Sequence, residues 1–273
     1  MSRMVWLMMM WSFSTAPVAQ DHGGDSAVRL YGAGSLRYAL TDVAKAFEAR
    51  FQTPVATTFA PSGLLRQRIE AGEPVDVFAS ANLAHPQRLR DQGRGDVVVL
   101  FARNQLCALA RAEVVITPAT VLDVLLDPAV RLGTSTPKAD PAGDYAWELF
   151  HKAETLRPGS YQPLDAKALQ LTGGPDSPKA PAGRNPYAWV MENDRADVFL
   201  TYCTNAKAAL AESPTLQMVQ LPENLAVGAD YGLILLAPHR PAAVQLALFI
   251  LSPEAQALLA QYGFTSALLP APD

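Results

Sequence analysis

From Val28 onward short apolar runs alternate with amphipathic stretches. Such a rhythm fits a layered α/β structure, since strands carry an apolar period of two and helices one of 3.6. Residues 28–31 read as a strand, and Gly32-Ala33-Gly34-Ser35 turns into a helix whose apolar stripe is Leu36, Leu40, Val43, Ala44 and Phe47. A second strand at 55–59 is followed by the turn Pro61-Ser62-Gly63, a helix over 64–71 ended by Gly72, and a third strand at 75–80. The predicted sheet is mainly parallel.

Further along, the same reading predicts a strand at 105–109, a helix near 120–126 and a strand at 131–134. A polar loop over 135–143 then opens onto an amphipathic helix bearing Tyr145, Leu149 and Phe150. The Pro- and Gly-rich segment 158–186 reads as one long loop with little regular structure. Beyond it lie a helix at 187–193, strands at 198–202 and 232–236, and helices at 242–251 and 253–262.

A chain of 273 residues with 49% hydrophobic side chains has room for two lobes, because single cores stop growing near ~250 residues. The 22 basic and 26 acidic residues leave a net charge of −4 with no Lys/Arg block, so neither a nucleic-acid surface nor a polybasic membrane patch is expected. The apolar stretch MVWLMMMWSFSTAPVA follows one basic residue and falls short of the ~18 residues a spanning helix needs. It reads as a signal peptide over residues 1–19, with the mature chain starting near Gln20. Cys107 and Cys203 are the only cysteines, and sequence leaves their pairing open. His22, His85, His151 and His239 show no metal-ligand spacing, so no metal site and no cofactor are expected.

Catalytic motifs find little support. Ser135-x-x-Lys138 has no K-T-G or S-D-N companion, and neither Ser35 nor Ser62 sits in a G-x-S-x-G elbow with a histidine base. No phosphate-binding or dinucleotide-binding glycine loop occurs. Asp76, Asp140, Asp144 and Asp197 read as solvated surface charges. What stands out is a hydroxyl at the start of a helix, twice within about forty residues: Ser35 and Ser62. A helix start offers unpaired N–H donors and partial positive charge, which suits an anion, although Ser is also a common N-cap.

Several segments carry a family likeness: YGAGSLRYAL, FAPSGLLRQRIEAGEPVDVFASAN, ADPAGDYAWELF, RADVFLTY and SPEAQALLAQYGF, in that order. Together they resemble the periplasmic molybdate-binding proteins of ABC transporters, a family of type II two-lobed solute-binding proteins. The resemblance implies two α/β lobes, one over 27–103 and 228–273 and the other over 104–227. It further implies a periplasmic, non-enzymatic monomer that binds molybdate or tungstate between the lobes and delivers it to an inner-membrane ABC permease. In that family neutral hydroxyls and backbone N–H groups hold the oxyanion. Matched position by position, the ligand-binding residues would be Ser35, Ser62, Ala142 and Tyr202, with Arg184 aligned at a fifth. A donor-only pocket without a facing carboxylate would suit a fully deprotonated dianion.

The insertion TGGPDSPKAPAGRNP departs from the family pattern. It brings Arg184 to a position usually held by an uncharged residue that gives a backbone donor, and leaves two readings open. Arg184 either turns inward as a bidentate donor or faces solvent with its backbone N–H in use. Lys179 and Asn185 share that loop, and Cys203 follows Tyr202 directly. An inward Arg184, with the 172–186 loop, would favour a different anion or a small organic acid. A secreted serine hydrolase using Ser35 or Ser62 is the reading from another class.

Overall fold

The computed structural model describes residues 27–267; the signal-peptide segment lies outside them. The chain opens with β1 (Val28–Ala33), a 3-10 turn (Gly34–Leu36) and α1 (Arg37–Phe51), then β2 (Val55–Ala60), α2 (Ser62–Glu70), β3 (Val77–Ser80) and α3 (Ala84–Asp91). α1 forms where the sequence places its stripe: Ala39, Leu40, Val43, Ala44 and Phe47 are buried, and Gln52 ends the helix in a left-handed conformation. β3 is buried along its whole length, as a strand covered on both faces must be.

β4 (Gly95–Ala110) is the long central strand. The expectation from sequence covers only its end, residues 105–109; the apolar run 97–102 belongs to the same strand, which continues through Arg103 and Asn104. Next come α4 (Val121–Leu126), β5 (Leu132–Ser135), α5 (Pro141–Leu156), α6 (Tyr161–Lys167), β6 (Leu169–Thr172), α7 (Pro186–Glu192), β7 (Val198–Tyr202), α8 (Cys203–Glu212) and β8 (Gln217–Gln220). The chain then returns through β9 (Gly228–Leu236), α9 (Pro241–Ile250), α10 (Pro253–Gln261) and β10 (Thr265–Ser266). The expectation of one unstructured loop over 158–186 is corrected. Its first part folds as α6, which buries Leu164, and as β6, which pairs in parallel with β5. Beyond the short turn 158–160 and the single residue between α6 and β6, it is the stretch from Gly173 to Asn185 that lacks a helix or strand.

The strand order is β2-β1-β3-β9-β4-β7-β5-β6, with β8 and β10 also paired to β4. Each half keeps parallel pairs, β1 with β2 and β3 in one, β5 with β6 and β7 in the other. The antiparallel pairs involve β4 and β9, so the sheet is mixed. β4 bonds to β9 as far as Gln105↔Gly228, and from Leu106 onward it bonds to β7 and β8. It therefore belongs to both halves, changing partners in mid-strand. One core cluster gathers Leu30, Phe47, Phe101 and Leu246 and also takes in Ala142 and Tyr202 from the opposite half. Separate clusters around Phe150 and Phe199 fill the other half.

Candidate functional site

Between the halves lies a cleft of about 1200 Å³, reached by the chain just after β1, by the starts of α2, α5 and α8, and by the loop that follows β6. Several helix N-termini thus face one space, and their partial positive charges add there.

Neither serine caps a helix. The N-cap positions before the 3-10 turn, α1 and α2 are Ala33, Leu36 and Pro61, none with a side-chain cap bond. The hydroxyls are used otherwise. Ser62, only 1% exposed, accepts a hydrogen bond from the Ala81 N–H at 3.0 Å, so its own O–H proton remains free to donate. Ser35 Oγ lies 2.9 Å from Tyr231 Oη. Tyr231 in turn accepts from Asn104 Nδ2, which also donates to Thr204 at the start of α8. This chain of polar groups ties Ser35 to both halves of the molecule. Burial raises the Tyr231 phenol far above its ordinary range, so it stays protonated.

Tyr202 reaches across from β7 and donates to the Ala81 carbonyl at 3.4 Å. Desolvation holds this phenol well above its usual range as well, leaving a neutral hydroxyl beside Ser62. Ala142 is buried behind the cleft wall, and its N–H donates to Asp140 Oδ1 at 3.1 Å. Arg184 stands at the rim with its guanidinium between two carboxylates, Glu212 Oε1 at 2.5 Å from Nε and Glu192 at Nη2. Those partners, Glu212 foremost, raise its pKa further. Its backbone N–H donates to the Pro181 carbonyl. Both groups weighed for a ligand therefore have protein partners. Asn185 caps α7 by accepting from the N–H groups of Tyr187 and Ala188. Lys179 is exposed on the cleft wall.

Sequence reasoning placed Asp140 on the solvated surface, and the structure corrects this. Asp140 lines the cleft at the N-cap of α5, where burial pushes its carboxyl up to about 6. An Asp-Pro pair before an apolar helix signals the cap, but nothing in it signals the cleft. The donor set accordingly faces a carboxylate after all. Tyr231, Asn104 and Thr204 were also missed, because polar residues inside strands and helix starts carry no mark of a site. As for the hydrolase reading, the hydroxyl partners of Ser35 and Ser62 are Tyr231 and a backbone N–H, not a histidine.

The halves touch across the cleft. Gly63 N–H donates to the Ala139 carbonyl at 2.9 Å, and Lys207 of α8 donates to the Gln261 carbonyl at the end of α10. Cys203, directly after Tyr202, is disulfide-bonded to Cys107 of β4 with Cα atoms 4.9 Å apart.

A cleft of this kind between two α/β halves has known counterparts. The family model described as bacterial extracellular solute-binding protein matches residues 28–265. An uncharacterized protein of Pasteurella multocida is 40% identical over 207 residues, covering 76% of this chain and 86% of its own length. The molybdate-binding protein of Escherichia coli is 26% identical over 253 residues, covering 88% of this chain and 90% of its own. The sulfate-binding protein of Mycobacterium tuberculosis superposes with a TM-score of 0.74 at 20% identity, covering 89% of this chain and 88% of that one, a likeness of fold. Fold, cleft and a match running from β1 to β10 converge: the chain belongs to the bacterial extracellular solute-binding proteins.

Proposed function

We propose that this protein is the periplasmic receptor of an ABC importer. It binds a tetrahedral oxyanion between lobes formed by 27–103 with 228–273 and by 104–227, and hands it to the membrane permease. The observation that carries the reading is the pair Ser62 and Tyr202 beside Ala81, two neutral hydroxyls from opposite halves at one point of the cleft. Ser35 stands on the same wall, in reach of Tyr231. A ligand held from both sides biases closure of the lobes, the state a permease can read. Molybdate is the ligand suggested by the Escherichia coli relative, and tungstate, of like size and charge, is the alternative. The carboxylate of Asp140 favours a second reading, in which the same cleft takes another anion; Arg184, paired with Glu192 and Glu212, gives that reading no support.

Isothermal titration of the mature protein with molybdate, tungstate, sulfate and phosphate tests the proposal. At least one of the four binds tightly, and Ser35→Ala weakens it by roughly 10- to 100-fold, the loss of one hydrogen bond to a charged group worth ~1.5–3 kcal/mol. Absence of heat with all four sinks the oxyanion reading while leaving the fold intact.

A further inference from the structure

Three cations stand at the opening of the cleft with no carboxylate to neutralise them. Arg37, at the start of α1, donates from Nη2 to the Phe59 carbonyl at 3.1 Å, and its guanidinium lies 5.3 Å from the centre of the Phe59 ring. Lys207 of α8 donates to the Gln261 carbonyl at 3.2 Å. Lys179 belongs to the loop after β6. All three are exposed and line the cleft, and among the described residues none forms a salt bridge. A carbonyl or a ring holds such a side chain in place but leaves its charge standing.

Other basic side chains away from the cleft are paired, as Arg50 is with Glu254, Arg103 with Asp230 and Arg131 with Asp197. The fourth cation of the lining, Arg184, is committed to Glu212 and Glu192. Asp140 and Glu212 are the carboxylates of the lining, and Asp176, in the same loop as Lys179, is not part of it. Four cations against two carboxylates therefore line the cleft of a chain whose net charge is −4. An acidic molecule weakly repels an anion at a distance, whereas a cleft edged by positive charge focuses the field and draws the anion in.

From this we infer that Arg37, Lys179 and Lys207 form an electrostatic entrance, which captures the anion from solution and sets its association rate without holding it once bound. The inference rests on the oxyanion reading above. The entrance is built from both halves, with Arg37 on one side and Lys179 and Lys207 on the other. It also gives the loop between β6 and α7 a task, that of carrying a charge to the opening. Charges at a rim act on the approach and on its salt dependence, while the dissociation rate stays with the buried hydroxyls.

The test compares wild type with Arg37→Gln/Lys179→Gln and with the triple variant that adds Lys207→Gln. The double variant leaves the contact of Lys207 with Gln261 intact, so a loss seen in it is not a loss of contact between the halves. Arg195→Gln removes a cation that lies outside the cleft and serves as control. Molybdate and sulfate are the probes, at ionic strengths of about 0.01 M and about 1 M, where the Debye length is ~30 Å and ~3 Å. Association is followed by stopped-flow fluorescence of the cleft tyrosines Tyr38, Tyr202 and Tyr262, and Kd by calorimetry. At low ionic strength the triple variant associates at least about tenfold more slowly than wild type and the double variant severalfold more slowly, with dissociation unchanged and Kd weakened by the same factor. At high ionic strength the variants match wild type, and Arg195→Gln matches it throughout. An association rate indifferent to the substitutions, or a loss that persists at high ionic strength or falls on dissociation, overturns the inference while the oxyanion reading stands. If neither anion binds wild type, that reading falls and the entrance with it.

Discussion

Single side chains in this protein are set by what surrounds their polar atoms more than by their type. His85 illustrates this away from the cleft. Burial, with Arg66 next in importance, lowers its pKa to about 4, and its Nε2 has no hydrogen-bond partner among the described residues. The unfolded chain takes up that proton near 6.5, so between about 6.5 and 4 it binds more protons than the folded one. His85 therefore erodes stability as pH falls through that window, by an amount of order 2 kcal/mol. Asp140 acts in the opposite sense, since its folded pKa lies above the unfolded one and acidification below about 6 favours the fold. Urea denaturation at pH 7, 6 and 5 separates the two: His85→Asn loses less stability on acidification than wild type, and equal slopes would refute the assignment.

At the scale of elements, the disulfide fastens the N-terminus of α8 to β4 and closes a separation of 96 residues. A loop of that length makes its contribution large, about 2–5 kcal/mol on removal. Replacing both cysteines with alanine lowers the denaturation midpoint accordingly and loosens Tyr202 and Thr204, which flank Cys203; an unchanged midpoint would show the bond to be incidental. The elements were unequally legible in the sequence. β7 and α1 were plain because an unbroken apolar run and a clean helical stripe each admit one reading. β6 was hidden, since four residues with a parallel partner more than thirty positions away show no local signal. Ser35 and Ser62 were recognisable by their place after strands, and Tyr202 only through family likeness. Asp140 was not recognisable, because a capping aspartate looks the same in sequence whether it faces water or a ligand.

For the whole molecule, the contact at Gly63 marks how closely the halves approach. A Cβ there would lie 2.3 Å from the Lys138 carbonyl and 2.7 Å from that of Ala139, both backbone atoms that cannot yield cheaply. Gly63→Ala therefore holds the halves apart. The expected outcome is a drop in affinity of about tenfold or more with little loss of thermal stability. Small-angle scattering supplies the check: saturating ligand compacts wild type but not the variant, and equal compaction would dismiss Gly63 as the limit of approach.

The mid-strand change of partners in β4 carries a mechanical consequence. The chain joins the halves through β4 near Gln105 and returns just before β9 at Gly228, two strands lying antiparallel and bonded to each other. Such a two-stranded strap is the narrow place about which one half can turn against the other, hinge-fashion. Cargo of different girth would then stop the halves at different gaps. On the proposed reading, ligand size becomes an angle between the halves, as the jaws of a caliper turn girth into a gap.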